Sequence, residues 1–339
     1  MKLLYRYILK NITKTSLGLI LLFSVIIVSS QFMHLPSVVY FMGFFKFLKL
    51  IMFVNFSFFK YQLLFGFFLA SVLVAYNIRE RREHYAIFAN GISVDQLLKP
   101  IFFMSVFLSI IALVFSVFIV PYSNRERANF ITVNVKRYFL ESIHPKNFSK
   151  ISGDTVIYAE KKEEKKIENL FIYMKKNGWT ITAEEARFEG TNLILKNGFI
   201  QIPQREGFDI LMFKKYLFNI DVKYIKKYSF EDLENKKLFE IIKKKEKDSL
   251  KAIAVLTDRF SFFIPFLFLG MVGFLLGIRG SSSREGVLST AIFISIGYLL
   301  INFLTVKMIS TGKIPFYTLP IGVFIYFYVI FLFLKRRSF

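Results

Sequence analysis

The chain has 339 residues with a formal net charge of +22, and 54% of its residues are hydrophobic. This apolar share exceeds that of a typical soluble domain, so the composition argues against an ordinary soluble protein and predicts a membrane protein. The sequence contains no cysteine, which excludes disulfides, thiol catalysis and cysteine-ligated metal sites.

Six long apolar segments run through the sequence, and a helix needs about 20 such residues to cross the hydrocarbon core. Their uncharged stretches are residues 15–45, 61–78, 101–122, 260–278, 287–306 and 314–334. The second stretch extends back to Leu50 if Lys60 is tolerated inside it. The first is too long for a signal peptide and is followed by further spans, so we expect it to be retained.

Lysine and arginine are more frequent in the loops on one side of these segments than in the loops on the other side. By the positive-inside rule, the side with more cations is predicted to be cytoplasmic. One side receives Lys2, Arg6, Lys10, Lys14, Arg79, Arg81, Arg82, Lys99, Arg279, Arg284, Lys335, Arg336 and Arg337. The opposite short loops hold Lys46, Lys49, Lys307 and Lys313. We therefore expect both termini in the cytoplasm. Nucleic-acid binding is the other interpretation of a basic chain, but cations beside apolar spans favour helix anchoring.

Residues 123–255 lie between the third and fourth apolar segments, and we expect them to fold outside the cytoplasm, in the periplasm of a cell with two membranes. Stretches rich in β-branched and aromatic residues predict strands at Thr155–Glu160, Leu170–Met174, Thr180–Ala183, Leu193–Leu195 and Ile210–Phe213. Asn177-Gly178 and Asn197-Gly198 predict hairpin turns, because Asn-Gly accepts the positive φ angles of a type I′ turn. Short strands separated by turns are typical of a sandwich, a jelly roll or a barrel.

The end of this insert is rich in lysine and glutamate and predicts a connecting helix over residues 231–251. Its apolar residues near helical spacing are Leu233, Leu238, Ile241 and Ile242. We expect this helix to lead into the fourth span. The chain then divides into residues 1–122 with three spans, the insert 123–255, and residues 256–339 with three more.

Motifs for catalysis are missing from the sequence. It has no phosphate-binding loop, no G-x-S-x-G and no H-E-x-x-H, and its histidines, His34, His84 and His144, are scattered. Carboxylates are nearly absent from the apolar spans, which disfavours a proton-coupled transporter. We therefore expect a non-catalytic chain without a metal or a cofactor of its own.

The segment that follows the second span, residues 79–93, is both charged and amphipathic. It predicts a short helix that ends at Gly91, a residue suited to a helix C-terminus, with Ile87 and Phe88 on an apolar face. One interpretation is a solvated, charged connector. The other is a coupling helix that docks into a partner on the cytoplasmic side.

The same segment resembles the LptF/LptG permease family, the membrane subunits of the lipopolysaccharide exporter. Its acidic Glu83 is followed eight positions later by Gly91-Ile92-Ser93. The opening Leu4–Lys10, the fourth-span residues Arg259, Pro265 and Gly277-Ile278-Arg279, and the turn Gly312–Pro315 also resemble this family in order and spacing. The resemblance covers nearly the whole chain.

This resemblance implies an α-helical inner-membrane protein with six transmembrane helices and a periplasmic, jelly-roll-like β domain between helices 3 and 4. It implies an ATP-binding cassette exporter in which two permeases pair with two copies of an LptB-like ATPase. That ATPase would hold ATP and magnesium, and lipopolysaccharide would pass to LptC/LptA-like β-jelly-roll proteins. The coupling glutamate of the family falls on Glu83, and we expect the ATPase-coupling segment to include Arg79, Arg82, Glu83, Ile87, Phe88 and Gly91.

The family's basic residues near the outer mouth contact lipid A phosphates, but this chain has Gln31, Phe32, Met33 and His34 at the outer end of its first span. The nearest cations, and hence the phosphate-binding candidates, are Lys46, Lys49, Lys60, Arg125 and Arg127. We expect Lys60 to extend to the interface and the group to rim a cavity shared with a second permease. Ordinary interface anchoring is the alternative for each of them.

Two other classes of membrane protein remain as alternatives. A mechanotransmitting ABC subunit would activate periplasmic partners without transport, but such subunits usually place their large domain after the first span. A membrane-anchored interaction protein would have no ATPase partner, so co-purification with an ATPase separates it from an exporter.

Overall fold

The structure is a computed structural model. It describes residues 2–33, 43–141, 143–152, 155–163, 166–175, 177–189, 192–204, 207–218, 229–244, 248–279 and 283–336. His34 and Arg337, which were considered above, lie outside these ranges. The chain separates into two compact units, one formed by residues 1–34, 51–126 and 228–339 and the other by residues 35–50 and 127–227.

Ten α-helices occur in the described part of the chain. They are α1 (Lys2–Phe32), α2 (Phe44–Glu80), α3 (Glu83–Ala89), α4 (Val94–Val114), α5 (Val120–Glu141), α6 (Asn235–Lys243), α7 (Ser249–Ser261), α8 (Ile264–Arg279), α9 (Arg284–Ser310) and α10 (Thr318–Arg336). Five spans within these ranges are long and apolar enough to cross a membrane, and the bent pair α7–α8 makes a sixth if it counts as one. The predicted fold class, membrane-spanning helices with a β domain inserted in mid-chain, is confirmed.

The third span runs through α4, a π-helical turn at Phe115–Ile119, and the beginning of α5. It begins with a capping box, in which the Gln96 amide donates to Ser93 Oγ over 3.4 Å and the Ser93 amide donates to Gln96 Oε1 over 3.0 Å. The π turn widens the helix locally, and such turns often mark functional positions.

The fourth span is bent by 40° between α7 and α8. Pro265 is the second residue of α8, and its ring conflicts with a helical carbonyl four residues earlier, at Ser261, the last residue of α7. The uncharged run 260–278 therefore covers only the second part of this span. Its first part, α7, brings Asp258 and Arg259 among the helices, which corrects the expectation that carboxylates are almost absent there.

Glycines let α8 pack closely in the centre of the helical unit. A Cβ on Gly273 would lie 2.9 Å from the carbonyl oxygen of Phe68, and a Cβ on Gly277 would lie 2.3 Å from that of Val72, both on α2. Small residues at such positions allow the backbones of two spans to approach each other. Most residues of α8 are buried, so α8 lies in the interior of the helical unit.

The β domain is an antiparallel sheet of six described strands. They are β1 (Phe148–Ser152), β2 (Thr155–Glu163), β3 (Lys166–Met174), β4 (Trp179–Glu189), β5 (Asn192–Gln204) and β6 (Gly207–Phe218). Each strand pairs with the next along the chain, in the order β1 to β6. Ile157, Ile172, Ile181 and Ile200 lie opposite one another on β2 to β5 and are buried, so this row forms part of the core of the sheet.

The turn predicted at Asn177-Gly178 is present, whereas the prediction of a turn at Asn197-Gly198 is wrong. Asn177-Gly178 forms the turn between β3 and β4, and Gly178 has a φ of 69°. Asn197-Gly198 lies inside β5 instead, where Gly198 is opposite Ala183. A Cβ on Gly198 would lie 2.0 Å from the carbonyl oxygen of Thr182 on β4 and 2.7 Å from the Phe213 ring, so this glycine lets the neighbouring backbone approach closely. Strand β1 was not predicted, and the other strands are longer than predicted.

The connecting helix predicted over residues 231–251 is divided. A short 3₁₀ turn at Phe230–Asp232 and helix α6 precede α7, which begins at Ser249. Leu238 of α6 packs with Ala252 and Leu256 of α7 in a small apolar cluster. These residues group with the helical unit, so the compact unit that holds the sheet is narrower than the interval 123–255.

Candidate functional site

A short helix follows the second span, as predicted, but it is shorter than the segment 79–91. Arg79 lies in the last turn of α2, and Arg82 lies in the intervening turn with a left-handed φ of 60°. Helix α3 begins at Glu83 and ends at Ala89. Gly91 has a φ of 76°, a conformation that favours glycine and lets the chain turn into the third span.

Glu83 lies at the edge of a cleft of about 130 Å³ between α1, α2 and α3. The Tyr7 hydroxyl donates to its carboxylate over 3.2 Å, and Arg81 Nη1 lies 4.0 Å from it. The Glu83 side chain is 33% exposed. Because a carboxylate has about four acceptor positions, it retains capacity for a further cationic partner.

The two apolar residues predicted for a docking face are separated by the structure. Ile87 is buried in the main helical core, whereas Phe88 is 38% exposed. Tyr85 is 66% exposed, and its ring lies 4.1 Å from that of His84. The accessible aromatic surface of α3 is therefore formed by Tyr85 and Phe88, while Ile87 fixes the helix to its own chain.

The phosphate-binding candidates are divided between the two compact units. Lys46, Lys49 and Arg127 belong to the unit that holds the sheet, and Lys60 and Arg125 belong to the helical unit. Arg125 is paired with Glu234 and lies 3.9 Å from Glu126. The grouping of the five cations around one opening remains a prediction.

Lys60 does not extend to an exposed position, contrary to the expectation from the sequence. Its Nζ lies 3.2 Å from Asp258 Oδ2, and its side chain is 8% exposed. The ammonium also faces the Phe262 ring at 4.4 Å and the Tyr61 ring at 5.1 Å, which adds cation–π attraction. The Lys60 ammonium therefore has its ion-pair and aromatic partners inside the helical unit.

Asp258, Arg259, Asn235 and Asn302 are polar residues that the sequence reasoning did not place in a site. Arg259 is buried and Asn302 is 9% exposed, and Asp258 takes part in the pair with Lys60. A signal was present, since a lysine inside an apolar span calls for a carboxylate on another span. Asp258 lies just before the uncharged run 260–278, so the apolar pattern alone does not include it in a span.

The arrangement thus combines membrane-spanning helices, an inserted β sheet, and a partly exposed carboxylate on a short helix between the second and third spans. A family model described as lipopolysaccharide export system permease LptF/LptG matches residues 6–337. No match to a curated protein accompanies it. Because the family match spans nearly the whole chain and the architecture agrees with it, this multi-pass membrane protein belongs to the LptF/LptG family of lipopolysaccharide export permeases.

Proposed function

We propose that the chain is the permease subunit of an ABC exporter that extracts lipopolysaccharide from the inner membrane and passes it to a periplasmic β-jelly-roll bridge. The observation that carries this proposal is the family match over residues 6–337. The partly exposed Glu83 on α3 supports the same conclusion, because an exporter without its own nucleotide site needs a surface that receives force from an ATPase.

In this account ATP and magnesium are bound by the partner ATPase, and the permease contributes contacts. Glu83 would accept a charge-assisted hydrogen bond from an arginine or lysine of the ATPase, with Tyr85 and Phe88 packed against the same partner. Tyr7 would hold the carboxylate in position from α1. Ile87 would transmit the movement of α3 to the helical core that buries it.

The distribution of cations supports an orientation with both termini and α3 in the cytoplasm and the sheet in the periplasm. A reporter fused after Phe339 is expected to be cytoplasmic. A reporter inserted at the turn Asn177-Gly178 is expected to be periplasmic. Two reporters on the same side would contradict this orientation.

The sheet offers a docking position for a periplasmic β-jelly-roll partner. Strand β6 is an edge strand of the described sheet, and its exposed apolar residues are Phe208, Ile210, Leu211, Met212 and Leu217. An apolar edge strand of this length invites pairing with another strand. We propose that it receives an edge strand of an LptC/LptA-like protein, which would continue the sheet across the periplasm.

The substrate carries phosphates and several acyl chains, so its site needs cations beside apolar walls. Lys46, Lys49, Arg125 and Arg127 remain our candidates for headgroup contacts, and the opening would be shared with a second permease subunit. Lys60 has a different role, because its side chain is 8% exposed and its ammonium faces Asp258 inside the helical unit.

Co-purification tests the proposal. The chain would be expressed with a second LptF/LptG-type permease and the ATPase, and the complex would be isolated through a tag on this chain. We expect a stable assembly whose ATP hydrolysis is stimulated by lipopolysaccharide. A permease that is folded and monodisperse but never retains an ATPase would favour the membrane-anchored interaction protein.

A further inference from the structure

Both side-chain oxygens of Asp258 accept hydrogen bonds from other spans. Lys60 of α2 approaches Oδ2 at 3.2 Å, and the Asn302 amide of α9 donates to Oδ1 over 2.8 Å. Asp258 itself lies on α7, the first half of the bent fourth span. One carboxylate therefore joins the second, fourth and fifth spans.

The surroundings of this carboxylate make the contacts costly to break. The side chains of Lys60 and Asp258 are 8% and 23% exposed, so loss of the carboxylate would leave a buried ammonium without its partner, which is strongly destabilising for the protein. Tyr298 of α9 is 2% exposed and its ring lies 6.3 Å from that of Phe262. Phe262 also faces the Lys60 ammonium and lies at the bend of the fourth span. A change in this bend would therefore move Phe262 relative to the ion pair of Lys60 and Asp258.

The next residue, Arg259, extends the network in the other direction. Its Nη2 donates to the backbone carbonyls of Glu231 and Leu233, each over 2.8 Å, and its Nη1 donates to Asn235 Oδ1. Asn235 in turn donates over 2.8 Å to the carbonyl of Val117, inside the π turn of the third span. Arg259 therefore ties the segment between the sheet and the fourth span to the third span.

We name Lys60, Asp258, Asn302, Arg259 and Asn235 the polar node. Two departures from regular helix, the bend before α8 and the π turn at Phe115–Ile119, meet there. Helices change shape most easily at such irregular positions. An ion pair between two spans, in contrast to a continuous apolar contact, is either made or broken, and this would give the element two discrete arrangements.

We propose that Asp258 is a positioning residue of the exporter, whose pairing with Lys60 and Asn302 locks the bend of the fourth span in one of two states. Breaking and remaking this lock would couple movement of the helices to movement of the segment that leads to the sheet. The inference rests on the proposed function, because the states are those between which ATP hydrolysis would drive the permease.

A static anchor is the competing explanation, and a charge-neutral double variant separates the two. In K60M/D258N the pair is replaced without leaving an unpaired charge, and such replacements are often neutral or stabilising. An anchor therefore predicts that the double variant recovers both the melting temperature and the transport lost in D258N. A switching lock predicts recovery of the melting temperature alone, since the neutral pair cannot be made and broken in the same way.

The experiment uses the complete complex in proteoliposomes and measures the lipopolysaccharide delivered per ATP hydrolysed. We expect D258N and K60M/D258N to deliver about five- to tenfold less per ATP than wild type, with ATP hydrolysis retained. N302L, which leaves the ion pair in place, should lower the same ratio and carries the test if the Asp258 variants fail to assemble. S295A on the same helix is the matched control, because Ser295 is buried but donates only to the carbonyl of Ala291.

A wild-type ratio in K60M/D258N, or in N302L if the former does not assemble, would overturn the lock and leave an anchor. A wild-type complex that moves no lipopolysaccharide would instead overturn the proposed function, and this inference with it. The two failures are distinguishable because the first is seen only in the variants and the second is already seen in the unmodified complex.

Discussion

The hydroxyl of Tyr7, in the first turns of α1, donates over 3.2 Å to the carboxylate of Glu83 at the start of α3, 76 positions along the chain. This bond fixes the candidate coupling helix to the first span as well as to the second span, which it follows directly. Glu83 is consequently oriented before a partner arrives, and less conformational entropy is lost when the partner binds.

Replacement of Glu83 tests whether its carboxylate pairs with the ATPase. In E83A we expect weaker retention of the ATPase and loss of stimulated hydrolysis, because removal of one member of a buried ion pair costs about 3–5 kcal/mol. E80A is the matched control, since Glu80 is an exposed carboxylate at the end of α2. If Glu83 stays solvated in the complex, its pair is worth about 0–1 kcal/mol and E83A will resemble wild type.

Tyr7 offers a milder version of the same test. Y7F removes the hydroxyl and leaves the ring, so the carboxylate is retained but is less well oriented. We expect a loss of about 1 kcal/mol of ATPase binding, the usual net value of one hydrogen bond. Titration of the ATPase against permease in nanodiscs measures it. An effect of Y7F as large as that of E83A would contradict a purely orienting role.

The exposure of neighbouring residues on α3 predicts opposite consequences for two similar variants. F88A removes an exposed ring and should weaken ATPase docking, while the melting temperature of the isolated permease is unchanged. I87A removes a buried side chain and should destabilise the permease itself by about 2–5 kcal/mol. Thermal unfolding of the permease and ATPase binding are measured side by side, and a shared phenotype would refute this division of roles.

Close packing of α8 on α2 predicts that Gly277 tolerates no side chain. A Cβ there would lie 2.3 Å from the carbonyl of Val72, so G277A should separate the helices and cost about 1–3 kcal/mol. G322A is the matched control, because a Cβ on Gly322 of α10 meets no atom within 4 Å. Equal melting temperatures for the two variants would show that α8 and α2 are not in close contact.

Part of this structure could be predicted from the sequence alone. The spans were predictable because a long apolar run has one stable environment, and the turn at Asn177-Gly178 was predictable from its preference for positive φ. The same local preference gave a wrong prediction at Asn197-Gly198, because the closest neighbour of a Cβ on Gly198, the carbonyl oxygen of Thr182, lies on another strand. Local preference identifies a backbone conformation but not the tertiary contact that selects it.

The site shows the same limit. The charged, amphipathic segment that ends at Gly91 predicted the short helix. Its sequence alone did not reveal that Ile87 is buried in the protein while Phe88 is exposed. The partner of Lys60 was missed because Asp258 and Asn302 are remote in sequence and meet only when three spans are packed. Pairings of this kind depend on packing, which hydropathy does not encode.

Transfer of lipopolysaccharide to a β-jelly-roll acceptor measures whether this permease moves lipopolysaccharide by coupling to an ATPase through α3. The complete complex in proteoliposomes is supplied with ATP, and lipopolysaccharide bound to an acceptor carrying a photocrosslinker is measured over time. We expect ATP-dependent transfer by wild type and by E80A, and its loss in E83A. An assembled wild-type complex that hydrolyses ATP but transfers no lipopolysaccharide would contradict this expectation.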